Sequence, residues 1–128
     1  MNPRDVVKIQ SSNVDLNIPY LPNDACTWRF IGRECTISAE CPCFDVSPSF
    51  NCIEDYLKIL DLPYYHQKFC GITKPNGPYR ASTDVFSIRF RSNGGVSAKG
   101  FVCFVQCTAP GESEFSIADA ALLACSNF

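Results

Sequence analysis

Nine cysteines in 128 residues limit the possible folds of this chain more than any other feature. Structural zinc usually takes matched Cys-x2-Cys pairs, alone or combined with histidines. Here the gaps are irregular, Cys41 and Cys43 form the closest pair, and His66 is the single histidine. Disulfides therefore fit better than zinc, and they predict a secreted, extracellular protein.

The composition predicts one folded domain of ordinary apolar content. Hydrophobic residues make up 46% of the chain, which is enough for a core and too much for a disordered segment. The net charge is −2, and the basic residues are scattered along the sequence. We therefore expect no nucleic-acid partner and no insertion into a membrane.

Alternating apolar and polar residues, separated by turn formers, predict short antiparallel strands. The predicted strands are residues 6–10, 26–30, 35–46 with a bulge at Pro42, 56–61, 85–91 and 101–107. No strong helical pattern precedes residue 112, so the predicted fold is all-β, a two-sheet antiparallel β-sandwich. Residues 108–128 are interpreted as a linker or the start of a following segment, with one or two helical turns.

The alternation also predicts which side chains are buried. The expected core residues are the inward members of each strand: Trp28, Ile37, Phe44, Leu57, Ile59, Phe86, Ile88, Phe90 and Phe101.

One polar segment between two predicted strands is a candidate for partner contact. Tyr64, Tyr65 and His66 are interpreted as part of a polar turn, where adjacent tyrosines can bind a protein or a sugar ring. Packing of this turn onto the strands is the alternative. His66 is interpreted as an exposed histidine, so no catalytic residue is predicted and we expect no enzyme.

A series of short motifs runs through the chain in a fixed order. They are Ile9-Gln10-Ser11-Ser12-Asn13, Tyr20-Leu21-Pro22-Asn23, Cys26-x-Trp28, Phe44-Asp45-Val46, Cys52-x-x-Asp55-x-Leu57-x-Ile59, Phe69-Cys70-Gly71, Phe90-x-Ser92-Asn93 and Gly100-Phe101. Their order and spacing over residues 6–107 resemble the CUB domain, an extracellular module. The resemblance implies a jelly-roll-like, disulfide-stabilised β-sandwich.

The resemblance also implies two disulfides. Cys52 and Cys70 match the third and fourth family cysteines, which pair with each other. A Cys41–Cys103 bond would be similar to the added core disulfide of arthropod CUB modules, including those attached to secreted serine proteases. The pairing of the other cysteines stays open: Cys26, Cys35, Cys43, Cys107 and Cys125.

Cys26 matches the second family cysteine, whose usual partner would lie upstream of Met1. Together with the odd cysteine count, this leads us to expect a segment of a larger secreted or cell-surface protein.

Many CUB domains hold calcium through a glutamate and two aspartates, and the matching positions here are Ser47, Asp55 and Asn93. Only Asp55 keeps a carboxylate, and calcium affinity depends on the number of charged ligands. The sequence therefore predicts weak or absent calcium binding and no other cofactor.

The function expected from this resemblance is that of a non-catalytic extracellular interaction module. Its partner would be another protein or a neighbouring domain of the same chain. The alternatives are a carbohydrate-binding module and a non-catalytic regulatory domain of a secreted serine protease.

Overall fold

The computed structural model describes residues 1–63, 65–75, 77–114, 116–126 and 128. Within these ranges the chain forms eight strands and one α-helix: β1 (Val6–Gln10), β2 (Ala25–Ile31), β3 (Thr36–Asp45), β4 (Tyr56–Asp61), β5 (Tyr65–Phe69), β6 (Tyr79–Arg80), β7 (Val85–Arg91), β8 (Gly100–Thr108) and α1 (Ala118–Ala124). Short 3-10 turns occupy Val14–Leu16 and Phe50–Cys52.

The strands form two antiparallel sheets that pack face to face. Their orders are β1-β8-β3-β6 and β2-β7-β4-β5, and the predicted two-sheet β-sandwich is confirmed. The apolar faces of both sheets meet in one core, and the expected core residues are buried there except Trp28. Trp28 is half-buried, and its ring meets Phe101 edge-on at 5.8 Å between centroids.

Strand β7 shows why the predicted register holds. Phe86, Ile88 and Phe90 point into the core, whereas Arg89 and Arg91 are exposed on the opposite face. A slip of one residue would place three large apolar side chains in water, so burial fixes the register.

Strand β3 bends where the sequence predicted it. Its pairing with β8 shifts register between Glu40 and Cys43, across Pro42. Proline cannot donate a ladder hydrogen bond, so a β-bulge is the usual way to include it in a paired strand.

The interpretation of residues 64–68 as a polar turn was wrong for the described residues of that segment. Tyr65–Phe69 form the edge strand β5, paired antiparallel with β4. The strand was missed because an edge position tolerates polar residues on both faces, which weakens the alternation. Tyr64 lies outside the described residues.

The described part of the chain contains four disulfides, and three of them begin on or beside β3. Cys41 is bonded to Cys103 and Cys52 to Cys70, with Cα–Cα distances of 4.0 and 5.6 Å. These are the two pairs implied by the resemblance. The pairs that the sequence left open are Cys35–Cys107 and Cys43–Cys125.

Cys26 is the remaining cysteine. It is free and half-buried on β2. Burial raises the pKa of its thiol, and the neighbouring Asp24 carboxylate raises it further.

The C-terminal residues fold back onto the outer face of the first sheet. Cys125, at the end of α1, is bonded to Cys43 on β3. The segment packs on a second apolar cluster outside the main core: Val14, Cys43, Val102 and Phe104. Across the described residues, no helix has the length and apolar character needed to cross a membrane.

Candidate functional site

The loops between strands gather at one end of the sandwich. Strands β1, β3, β5 and β7 finish there, and β2, β4 and β8 start there, as the strand register requires. We call this the loop end, and it consists of residues 11–24, 46–55, 70–72 and 92–99.

Asp55 is the buried centre of the loop end. It stands immediately before β4, and its side chain is 1% exposed. The Tyr20 hydroxyl donates to Asp55 Oδ2 at 2.5 Å, and the Asn93 backbone N–H donates to Oδ1 at 2.8 Å. The Ser47 N–H donates to the Tyr20 hydroxyl oxygen at 3.0 Å. The network therefore joins Asp55 to both other predicted positions, to Asn93 directly and to Ser47 through Tyr20.

Tyr20 is the member of this network that sequence reasoning did not identify as a site residue. Its only signal was its place in the Tyr20-Leu21-Pro22-Asn23 motif. Burial raises the pKa of its phenol well above the ordinary value of 10.0, and the hydrogen bond to Asp55 raises it further. The phenol is thus held as a neutral donor to a carboxylate, which is a charge-assisted hydrogen bond.

Backbone contacts tie the remaining loops together. The Asn23 N–H donates to the Asn93 carbonyl at 2.8 Å, and the Ser92 hydroxyl donates to the Leu21 carbonyl at 2.8 Å. Gly100 has φ +104°, and a Cβ there would overlap the Ser11 hydroxyl. Only glycine therefore fits without displacing the Ser11 oxygen, which accepts the Phe101 N–H.

The donor set at Ser47, Asp55 and Asn93 does not fit a calcium ion well. Calcium takes six to eight oxygens, with affinity set by their charge. Both Asp55 oxygens already accept hydrogen bonds, and the Asn93 Oδ1 accepts the Gly95 N–H at 2.9 Å. The nearby Asp45 faces the Lys99 N–H at 3.4 Å instead. Among the described residues, no group of three or more His, Cys, Asp or Glu is placed to hold a metal.

Seven large apolar side chains of the loop end are exposed, and two of them are Leu16 and Ile18. We call the other five the apolar rim: Leu21, Phe50, Ile53, Ile72 and Val96. Phe50 and Ile72 are each 82% exposed, and Val96 is 81% exposed. The loops that contain Phe50 and Ile72 are joined to each other. The Cys52–Cys70 disulfide and paired backbone hydrogen bonds between Val46 and Gly71 make this connection. Exposed apolar side chains that gather on one surface are candidates for a binding surface.

Two of the predicted contact residues, Tyr65 and His66, lie on β5, away from the rim. The Tyr65 ring stacks on Tyr79 at 4.8 Å between centroids, and its hydroxyl donates to Gln67 at 2.7 Å. His66 is exposed, and its imidazole has no hydrogen-bond partner among the described residues. Tyr64 lies outside those residues.

Comparison with solved structures gives the same architecture. The chain is similar to the full extracellular region of zebrafish Gpr126/Adgrg6, with 21% identity and a TM-score of 0.74 over 85% of this chain and 14% of that chain. It is also similar to the CUB1-EGF-CUB2 domain of human MASP-1/3, with 22% identity and a TM-score of 0.69 over 81% of this chain and 42% of that chain.

A third structure, the MASP-1 CUB2 domain bound to Ca2+, is 21% identical, with a TM-score of 0.63 over 82% of this chain and 96% of that chain. At these identities the likeness concerns the fold. The chain spans less than half of the first two structures.

No curated protein matches the chain. Among protein-family models, the CUB domain matches residues 4–104. The match covers more than half of the chain and every strand from β1 to β7. The chain therefore belongs to the CUB domain family.

Proposed function

We propose that this CUB domain is a non-catalytic extracellular module that binds a protein partner through its apolar rim. The observation behind the proposal is the exposure of five large apolar side chains on loops that are fixed by disulfide and hydrogen bonds. The partner would be a separate protein or a neighbouring domain of a larger secreted chain.

The chemistry of the rim favours a protein over a small solute. Protein interfaces place apolar and aromatic side chains at their centre, and a few of these supply most of the binding energy. Phe50 and Ile72 have the side chains and the exposure for that role. Because the loops are already ordered, binding would cost little conformational entropy.

Binding through the rim would not depend on calcium. Asp55 is engaged by Tyr20 and Asn93, so protein hydrogen bonds order the loop end without an ion. Independence from calcium agrees with the neutral side chains of Ser47 and Asn93, which would give the ion no charged ligand.

The two alternatives have less support. A sugar site at Tyr64 and Tyr65 would need free tyrosine faces, but the Tyr65 ring stacks on Tyr79. A regulatory role in a secreted serine protease remains a prediction that depends on sequence beyond Phe128.

The test compares two double variants, each of which replaces two exposed apolar side chains with serine. Phe50→Ser/Ile72→Ser changes the rim, whereas Ile31→Ser/Leu62→Ser changes exposed residues at the opposite end. The immobilised chain is used to retain proteins from extracellular fluid, and the dissociation constant of the purified partner is then measured for each variant. We expect at least tenfold weaker binding for the rim variant and less than twofold for the control. The affinity should be equal in calcium and in chelator.

Equal weakening by both variants, or no retained protein, would contradict the rim as the binding surface. Loss of binding in chelator would contradict its independence from calcium.

A further inference from the structure

The strand register gathers cations that are scattered in the sequence. Five of the eleven Lys and Arg residues lie on the outer face of the β2-β7-β4-β5 sheet. We call this the cationic face: Arg29, Lys58, Lys68, Arg89 and Arg91. The strand neighbours of Arg29, Lys58 and Arg89 point into the core, Arg91 lies two residues beyond Arg89, and Lys68 pairs with Lys58. All five therefore project to the same side.

Three of these cations stand side by side. Arg89 pairs with Lys58, and Lys58 pairs with Lys68, on three adjacent strands. Adjacent strands lie about 4.8 Å apart, so this row spans roughly 10 Å. Arg29 and Arg91 are close to its Arg89 end, on the rows to either side.

No acidic residue lies on these strand faces, and none neutralises the row. Arg4 and Arg80 form ion pairs with Glu112 and Glu114, at 3.3 and 2.9 Å. Among the described residues, no carboxylate oxygen lies within 4.0 Å of a charged nitrogen of the cationic face. Asp24, at the edge of this face, borders the same hollow as Arg89 and Arg91.

This arrangement opposes ordinary sheet design. Like charges on directly paired residues destabilise a sheet, and opposite charges stabilise it. Lys68 Nζ lies 4.4 Å from the centroid of the Tyr56 ring, which stabilises its charge, so the like-charge cost falls mainly on the Arg89–Lys58 pair. Such departures from local rules concentrate at functional sites. The charge of the molecule is also distributed unevenly, because this face is positive while the whole chain has a net charge of −2.

We propose that the cationic face binds a linear sulfated polysaccharide, with sulfate groups over the Arg89–Lys58–Lys68 row. Guanidinium and ammonium groups are the side chains that bind such oxyanions, and Arg can do so with two parallel hydrogen bonds. Dispersed cations on an even surface complement a polymer with repeated charges.

A protein partner fits this face less well. Lysine is depleted at the centres of protein interfaces, and here Lys58 lies between two cations. Nucleic acid has matching charge, but four disulfides indicate an oxidising compartment where sulfated polysaccharides are the available polyanions. This surface lies on strands, separate from the apolar rim, so the inference is independent of the proposed protein binding.

The test uses heparin as the probe and the whole chain as the protein. Lys58→Gln/Arg89→Gln removes the centre of the row. Arg33→Gln/Lys74→Gln removes the same charge at exposed positions off the face and is the matched control. Affinity is measured by calorimetry at about 50 to 200 mM salt, the range in which counterion release is resolved.

We expect the face variant to lose at least tenfold in affinity for heparin and the control less than threefold. The slope of log affinity against log salt should become shallower in the face variant, because fewer anionic groups are neutralised. Its melting temperature should be unchanged or higher, since like-charge repulsion is relieved.

Desulfated heparin, double-stranded DNA and polyglutamate are compared with heparin on the unmodified chain. Weaker binding of all three supports the proposal. Equal losses in the two variants would overturn it, as would DNA or polyglutamate binding at least as tightly as heparin.

Discussion

At the scale of single residues, the loop end depends on a pair that no local pattern would reveal. Asp55 was visible in the sequence because the Cys52-x-x-Asp55 motif marks it. Its partner Tyr20 lies 35 residues away, and only the fold brings the two together at 2.5 Å. A buried carboxylate needs such donors, because an unsatisfied buried charge is costly.

Removal of the Tyr20 hydroxyl should therefore destabilise the domain. Tyr20→Phe leaves Asp55 Oδ2 and the Ser47 N–H without this partner, so we expect a loss of about 2–3 kcal/mol at pH 7. Urea unfolding measures the loss. Tyr56→Phe is the control, because the Tyr56 hydroxyl has no hydrogen-bond partner among the described residues, and it should change stability by about 0.5 kcal/mol or less.

The same pair gives an alkaline pH dependence. The pKa of Tyr20 in the folded state lies above its ordinary value of 10.0, so the unfolded chain loses this proton first as the pH rises. Stability is fully present below about pH 10 and falls above it. In Tyr20→Phe the fall should be shallower, and it should not vanish, because burial and Asp61 raise the pKa of Tyr79 in the same direction. An unchanged slope between pH 9 and 11 would contradict this role of Tyr20.

At the scale of elements, strands were predicted where burial imposes a repeating pattern of apolar residues. A strand was missed where burial imposes no such pattern. The bounds of β7 were predicted because one-sided burial produces clean alternation. Those of β1 were predicted from a short apolar run, although Val6 and Val7 are exposed. Strand β5 was missed because its edge position accepts His66, Gln67 and Lys68 without an apolar repeat. The cationic face was missed for another reason: charges that are far apart in sequence become neighbours only through strand pairing.

The helix α1 should depend on its disulfide for order. It has seven residues, too few to be stable alone in water. In Cys43→Ala/Cys125→Ala the helix keeps only its contacts with the cluster around Val102 and Phe104. We expect the amides of Ala121 and residue 125 to lose protection in hydrogen exchange while those of β8 keep theirs.

The control for α1 is Leu122→Ser, at a helical residue that is 75% exposed. It should leave the protection of the same amides within about threefold of the unmodified chain. Full protection in the variant without the disulfide would show that packing alone holds the helix.

At the scale of the whole molecule, the two sheets are joined by packing. Cys35–Cys107 and Cys41–Cys103 link strands or their flanks within one sheet, and Cys52–Cys70 closes a loop of the other. None of the four disulfides in the described residues connects one sheet to the other. Side chains such as Phe90 do so, since its ring lies 5.1 Å from that of Phe101 across the core.

Truncation at this contact should destabilise both sheets together. Phe90→Ala should cost about 3–5 kcal/mol, the range for a large aromatic side chain in a packed core. Unfolding should remain a single transition by circular dichroism and by tryptophan fluorescence, because Trp28 lies in one sheet and packs on the other. Arg89→Ala, one residue away on the outer face, is the control and should be nearly neutral. Separate transitions would indicate that the sheets unfold independently.

The bond between Cys43 and Cys125 also determines how the domain would respond to tension. When the two chain ends are pulled apart, the force applied at the C-terminus passes through this bond directly to β3. The 82 residue steps between the bonded cysteines, roughly 280 Å of extended chain, are bypassed and cannot lengthen while the bond lasts. Only the parts before Cys43 and after Cys125 can be drawn out. Strands β4, β5 and β7, with most of the cationic face, are thereby protected from stretching. The same holds for the loops that contain Phe50 and Ile72.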